Sequence, residues 1–165
     1  MREILKRTSD LAGALAGLAL ALPLLLAAAV AVWVTMAPPV IFRQLRAGRQ
    51  GHPFNLYKLR TMSDARDTCG NLLADEERQT PAGRWIRGHS IDELPQLWNV
   101  LKGEMSLVGP RAPLPEEVAQ YTPSQRRRLS VKPGITCLWQ VSGRNEVDFQ
   151  QWMSLDLKYI DNWSL

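Results

Sequence analysis

From Leu11 to Phe42 the chain runs for 32 residues without a charged side chain. A straight helix of that length reaches about 48 Å, well past the roughly 30 Å hydrocarbon core of a bilayer. Tilting absorbs only part of the excess. Three arrangements compete. A secretory signal peptide carries a shorter apolar stretch, about 7–15 residues, before a small-residue cleavage site; Ala27 to Ala29 keep that reading open. A spanning anchor suits the length, but Arg2, Lys6 and Arg7 precede the run while Arg43, Arg46 and Arg49 follow it. Basic residues favour the cytoplasmic side, and a single span places only one cluster there. A helix that enters, breaks and returns places both, and Pro23 stands where its ring and missing N–H would bend it.

Beyond this run the chain reads as one soluble unit. At 45% hydrophobic and 22% charged, the composition excludes a disordered tail or a collagen-like repeat. Cys69 and Cys137 fall in no metal-ligand spacing and read as reduced thiols rather than a disulfide framework. His52 and His89 likewise lack partners at metal-ligand spacing.

Val40–Gln44 and Phe54–Leu59 are short apolar segments flanking a Gly-containing turn, the pattern of a β-hairpin. Arg43 to Arg60 holds five basic residues and no acid, which suits anionic headgroups, a phosphate-binding surface, or both. Residues 62–79 are polar and acidic, a solvated loop with a short helix. Thr80-Pro81 starts a helix, with Thr as N-cap and Pro at its first position, and Arg84, Trp85 and Arg87 follow on it.

The stretch SIDELPQLWNVLKG, Ser90 to Gly103, repeats Leu94, Leu97, Trp98 and Leu101 at helical spacing, with Gly103 suited to the C-terminal cap. With Asp92 as N-cap, Pro95 falls in the first turn, where no intrahelical bond is lost. Ser90 with Glu93 matches a capping box, a frame that sets Pro95 deeper. Either frame puts both carboxylates at the positive end of a helix, where acids are commonplace and need no function. Downstream, Gly109-Pro110-Arg111, the Arg126-Arg127-Arg128 run, Lys132-Pro133-Gly134 and Gly143-Arg144 bring cations to turns, an arrangement suited to a substrate with several phosphates. Ile135–Val141 reads as a strand, and residues 145–160 as an amphipathic helix with Phe149, Trp152, Met153 and Ile160 on one side. Trp152, Tyr159 and Trp163 suit either a membrane interface or core packing.

Four ordered blocks carry a resemblance over nearly the whole chain: KRTSD (Lys6–Asp10) before the Pro-broken run, QLRAGRQGHPFNLYKLRTM (Gln44–Met62), SIDELPQLWNVLKGEMSLVGPR (Ser90–Arg111) and KPGITCLWQVSGRN (Lys132–Asn145). Together they resemble the bacterial sugar transferases, the monotopic phosphoglycosyl transferases. The resemblance implies an enzyme on the cytoplasmic face of the bacterial inner membrane. It transfers a phosphosugar from a nucleoside diphosphate sugar, UDP-linked by expectation, to polyprenyl phosphate through an aspartyl-phosphosugar intermediate, with Mg²⁺. Matched by motif, the nucleophile falls on Asp92 and its partner on Glu93, which are also the implied metal ligands. Lys58, Arg87 and Arg111 fall on phosphate-handling positions, and Arg60 and Arg144 are added to them. The implied fold is α+β: a re-entrant membrane helix hairpin broken at Pro23 over residues 1–39, then a small, irregular, helix-rich catalytic domain over residues 40–165 with short β-hairpin elements. Homo-oligomerisation stays open. Three departures stand out: Leu22 precedes Pro23 where the family commonly has Ser, Cys137 replaces the usual Gly, and the chain ends at Leu165 where relatives continue into amphipathic helix.

The chemistry agrees with that assignment. A carboxylate attacks phosphorus only when ionised, and a helix N-terminus with nearby arginines favours the ionised form. The non-enzymatic alternative is a membrane-docked phosphate-binding module. A nucleic-acid binder, suggested by a pI near 9.4, is opposed by ten acids between Thr61 and Gln120 and by the lack of any nucleic-acid motif.

Overall fold

A computed structural model describes residues 1–142 and 148–162. Helix α1 (Arg2–Met36) leads into strand β1 (Ile41–Ala47), paired in a two-stranded sheet with β2 (Pro53–Leu59). Three helices follow, α2 (Asp75–Arg78), α3 (Pro81–Gly88) and α4 (Gln96–Lys102), with a 3-10 turn at Ile91–Glu93 before the last. Strand β3 (Ser106–Val108), helices α5 (Pro115–Ala119) and α6 (Pro123–Arg126), a 3-10 turn at Arg127–Ser130, strand β4 (Gly134–Thr136) and helices α7 (Leu138–Val141) and α8 (Phe149–Asp161) complete the order. The mixed helix-and-sheet class agrees with expectation. Helix α1 contains Pro23, and the secondary structure does not separate two helices at that residue.

The chain forms two compact units that interleave in sequence. One comprises Met1–Gly17, Gln44–Leu56 and Gln96–Leu165; the other comprises Leu18–Arg43 and Tyr57–Pro95.

In the first unit, β3 and β4 run parallel, Ser106 opposite Gly134 and Val108 opposite Thr136. Parallel neighbours need a crossover, here supplied by α5, α6 and the 3-10 turn after them. The glycines of the two Gly/Pro turns have a packing reason. A methyl group on Gly134 would lie 2.1 Å from the Gly109 nitrogen, and one on Gly109 would lie 2.6 Å from the Lys132 carbonyl oxygen. The KRTSD block is spent on this unit as well. Arg7 donates to the Val100 and Leu101 carbonyls at 2.6 and 2.9 Å, closing the C-terminal end of α4. Buried Asp10 accepts from Ser106 Oγ and the Leu107 N–H, each at 3.0 Å.

Within the arginine run Arg128 is structural, contrary to the reading of the run as cations suited to phosphate. Arg128 pairs with Asp156 at 2.6 Å, both side chains 1% exposed, and donates to the Tyr121 hydroxyl. Its guanidinium lies 4.8 Å from the Trp152 ring centroid, which gives Trp152 a packing role; Tyr159 donates to the Val108 carbonyl, and Trp163 lies outside the described residues. Arg127 pairs with Asp161. The strand expected over Ile135–Val141 stops at Thr136, because Gln140 turns back to accept from the Cys137 N–H at 3.0 Å and starts α7. Helix α8 begins at Phe149 behind the Asp148 cap. Both cysteines are free thiols.

In the second unit, Thr80 caps α3 as its sequence predicts, accepting from the Gly83 N–H at 3.0 Å with Pro81 at the first helical position. Helix α3 packs tightly: a methyl group on Gly83 would lie 2.2 Å from the Thr61 carbonyl oxygen and 2.8 Å from Met36 Cε.

Candidate active site

The second unit builds its site on a hydrophobic footing. Ala28, Val32 and Met36 of α1 are buried with Leu59 of β2, Ile86 of α3 and Ile91 of the 3-10 turn, and Leu25, Ala29, Val40 and Leu94 pack against them. Each of the three non-α1 anchors adjoins a residue of the expected site in sequence: Lys58 precedes Leu59, Arg87 follows Ile86, and Asp92 follows Ile91. On a strand, neighbours point to opposite faces. Burying Leu59 therefore turns Lys58 outward, and burying Ile86 leaves Arg87 exposed.

Asp92 and Glu93 sit on the 3-10 turn Ile91–Glu93, not at the N-terminus of α4. This overturns both capping frames. Ser90 takes the left-handed conformation (φ 56°, ψ 22°) and makes no side-chain cap bond. Pro95 lies just ahead of α4, where its missing N–H costs no helical bond. A left-handed non-glycine residue carries a backbone cost of about 1–2 kcal/mol, and here it directs the chain from α3 into the carboxylate turn.

Glu93 Oε1 accepts from Lys58 Nζ at 2.7 Å, with the two side chains 25% and 21% exposed. Asp92 is 7% exposed, and burial raises its pKa above the usual carboxylate range. Lys58 and Arg87 oppose that rise, while the neighbouring Glu93 charge adds to it. The expectation that a helix end would hold this carboxyl ionised is thus replaced by a balance between burial and two cations. Among the described residues the Arg87 side chain makes no hydrogen bond or ion pair, and it is exposed, so its guanidinium is available to an incoming anion.

The remaining candidates separate. Arg60 is buried, donating to the Met36 and Ala37 carbonyls at the end of α1 and to Asp64. Arg111 belongs to the first unit, bridged to Gly134 through its backbone, with its guanidinium 5.8 Å from the Trp139 ring centroid. Arg144 lies outside the described residues. No group of three or more metal-ligating side chains occurs among the described residues. The available donor set is the Asp92–Glu93 pair, and Mg²⁺ is commonly held by one or two carboxylates completed by water and substrate phosphate oxygens. A desolvated carboxylate beside a second one fits such a cation.

Sequence reasoning missed the anchors Leu59, Ile86 and Ile91. Their signal was present: each polar candidate of this unit has an apolar residue adjacent to it in sequence.

Comparison with known proteins places these features in context. The family model described as bacterial sugar transferase matches residues 1–165. A Bacillus subtilis protein named uncharacterized sugar transferase EpsL is 51% identical over 98% of this chain and 80% of its own length. A Caulobacter vibrioides UDP-glucose:undecaprenyl-phosphate glucose-1-phosphate transferase is 40% identical over 99% of this chain and 65% of its own length. The Salmonella typhimurium undecaprenyl-phosphate galactose phosphotransferase is 39% identical over 99% of this chain but only 38% of its own length.

Proposed function

The chain belongs to the bacterial sugar transferases, a family of enzymes, and from that premise we propose that it transfers a phosphosugar from a UDP-sugar to undecaprenyl phosphate. The products are the polyprenyl-diphosphate-sugar and a nucleoside monophosphate. Donor and acceptor are supported by the names of the Caulobacter and Salmonella relatives. A role in polysaccharide assembly is supported by relatives named exopolysaccharide production proteins, and we assign the transfer to its first membrane step.

The observation that carries the chemistry is Asp92, a buried carboxylate beside the Lys58–Glu93 ion pair and subject to the field of Arg87. An Asp92 oxygen attacks the sugar-bearing phosphorus, forming an acyl phosphate as the bond to the nucleotide phosphate breaks and the monophosphate leaves. The acceptor phosphate then attacks the same phosphorus, and the Asp92 carboxylate is regenerated. Splitting the transfer in two lets bulky substrates use one site in turn. Lys58 and Arg87 bind and orient the donor phosphates and stabilise the charge that develops on them; Arg111 and Arg144 keep a phosphate-handling assignment by motif alone. Asp92 and Glu93 would hold Mg²⁺, which when bound would further neutralise phosphate charge.

The acceptor's tail accounts for the apolar run. Only 11% of an 18-residue apolar window of α1 is buried within the protein. We read residues 1–39 as a re-entrant element bent at Pro23, with residues 40–165 as the catalytic part on the cytoplasmic face. Basic residues at both ends of the run support that topology.

Incubation with donor alone tests the intermediate. A phosphosugar mass on the peptide containing Asp92 is expected, with release of monophosphate. Asn at this position is neutral and cannot form the acyl phosphate, so Asp92→Asn is expected to fold, bind membranes and lose activity by about four orders of magnitude. Normal turnover by Asp92→Asn would overturn the assignment.

A further inference from the structure

The first turns of α1, the Arg49 loop and the Ser130–Lys132 segment enclose a cavity of about 450 Å³. All its lining residues belong to the first unit, and none of Lys58, Arg87, Asp92 and Glu93 is among them. Four cations line it, Lys6, Arg7, Arg49 and Lys132, against two acids, Glu3 and Asp10. Asp10 is occupied by Ser106, the Leu107 N–H and Lys6, and Glu3 reaches only Arg49, at 3.7 Å across an exposed pair. Such an exposed pair contributes little.

Among the described residues, then, neither Arg7 nor Lys132 makes a direct ion pair, although Asp10 and Glu3 lie close enough to act on Lys132. Arg7 is bonded to neutral carbonyls, and among the described residues Lys132 has no hydrogen-bond or ion-pair partner. The two converge at Gly103. A methyl group there would lie 3.4 Å from Arg7 Nη2 and 3.5 Å from Lys132 Nζ. Burial, with Arg7 and Arg49, holds the Lys132 ammonium below its ordinary pKa, and the opposing charges of Asp10 and Glu3 do not offset them.

We propose that this cavity binds the phosphate of an anionic membrane lipid, clamped between Arg7 and Lys132 with Arg49 at the rim. Two observations select a lipid over a free phosphate. The cavity is lined by Glu3 to Asp10, the charged turns that lead directly into the 32-residue apolar run, the depth of headgroups in the reading proposed above. Ile4, Val131 and Tyr159 also line it, apolar surface that a glycerol backbone covers and an inorganic ion does not. The inference rests on that membrane placement but not on the Asp92 chemistry.

The test uses the full chain in dodecyl maltoside micelles, without sugar donor, so a failure of the catalytic reading cannot mimic a failure here. Native mass spectrometry counts bound lipid as the mole fraction of phosphatidylglycerol is raised, with inorganic phosphate titrated in parallel. Wild type is expected to saturate at one retained lipid. Lys132→Met is expected to weaken binding at least about tenfold, the loss of one charge-assisted contact. Arg49→Gln weakens it less, and Arg126→Gln, which removes a charge elsewhere on the same unit, leaves it unchanged. Arg49→Gln alters an exposed side chain and serves as the test if Lys132→Met fails to fold. Equal binding by all the variants, or retention that never saturates, overturns the site. Inorganic phosphate held as tightly as the lipid, with the same loss in Lys132→Met, overturns the lipid assignment.

Discussion

Two carboxylate–cation pairs in this protein have nearly the same length and opposite consequences. Arg128–Asp156 is 2.6 Å long and sealed, each side chain 1% exposed and walled by Tyr121 and Trp152. Lys58–Glu93 is 2.7 Å long but each side chain remains about a fifth to a quarter exposed, beside a second carboxylate. A sealed pair exchanges hydration for mutual attraction and holds elements together; removing either partner strands the other. An open pair keeps its charges within reach of a ligand. Distance alone does not tell anchor from instrument; what surrounds the pair does.

The comparison breaks most sharply at Asp92, where Asp92→Asn removes activity without a comparable loss of stability. The reverse is expected at the sealed pair. Arg128→Met leaves Asp156 buried and uncompensated and is expected to destabilise the fold by about 3–5 kcal/mol. Urea unfolding measures this, and a loss below about 1 kcal/mol would show that the pair is dispensable.

Lys58→Met sharpens the open side. Lys58 opposes the rise in the Asp92 pKa, so its removal drives that pKa higher. The attacking form is the ionised one, and the acid limb of the pH–rate profile moves to higher pH. Turnover at the optimum is expected to fall about 100-fold through lost phosphate stabilisation. An unmoved acid limb would disconnect Lys58 from Asp92.

The smallest effect concerns pH and stability. Burial pushes Asp156 up to about 6 from 3.8, despite Arg128. Between those values the folded chain keeps a proton that the unfolded chain has released, so this group's stabilisation is full at the acid end and is lost as pH rises towards 6. Asp156→Asn removes the titration, and the difference between its melting temperature and that of wild type is expected to change over this window and flatten above it. A constant difference would mean that Asp156 is ionised throughout.

Local signals proved legible wherever chain neighbours decide the outcome. Thr80-Pro81 starts α3 and the segments around Gly48 form a hairpin, because capping and turn chemistry act over a few residues. The Asp92–Glu93 motif was legible as chemistry, but its backbone was not. The left-handed turn at Ser90 competes with an N-cap at the same spot and leaves no mark in residue type. Arg128 read as one of three cations suited to phosphate because its partner lies 28 positions away, and a tertiary pair has no periodicity. The surroundings of Arg60 were illegible in the same way: its acceptors include the backbone carbonyls of Met36 and Ala37, a group every residue has.

The footing of Leu59, Ile86 and Ile91 on Ala28, Val32 and Met36 has a practical consequence. An enzyme with a greasy leader invites truncation to yield a soluble fragment, and cutting ahead of residue 40 is the obvious place. That cut would take away the ground on which three of the site's neighbours stand, exposing their apolar faces while leaving every polar residue of the site in the sequence. The fragment would retain the motif and lose the geometry. Preparations of this protein are therefore best judged by keeping α1 intact and choosing the amphiphile, rather than by trimming the chain to suit water.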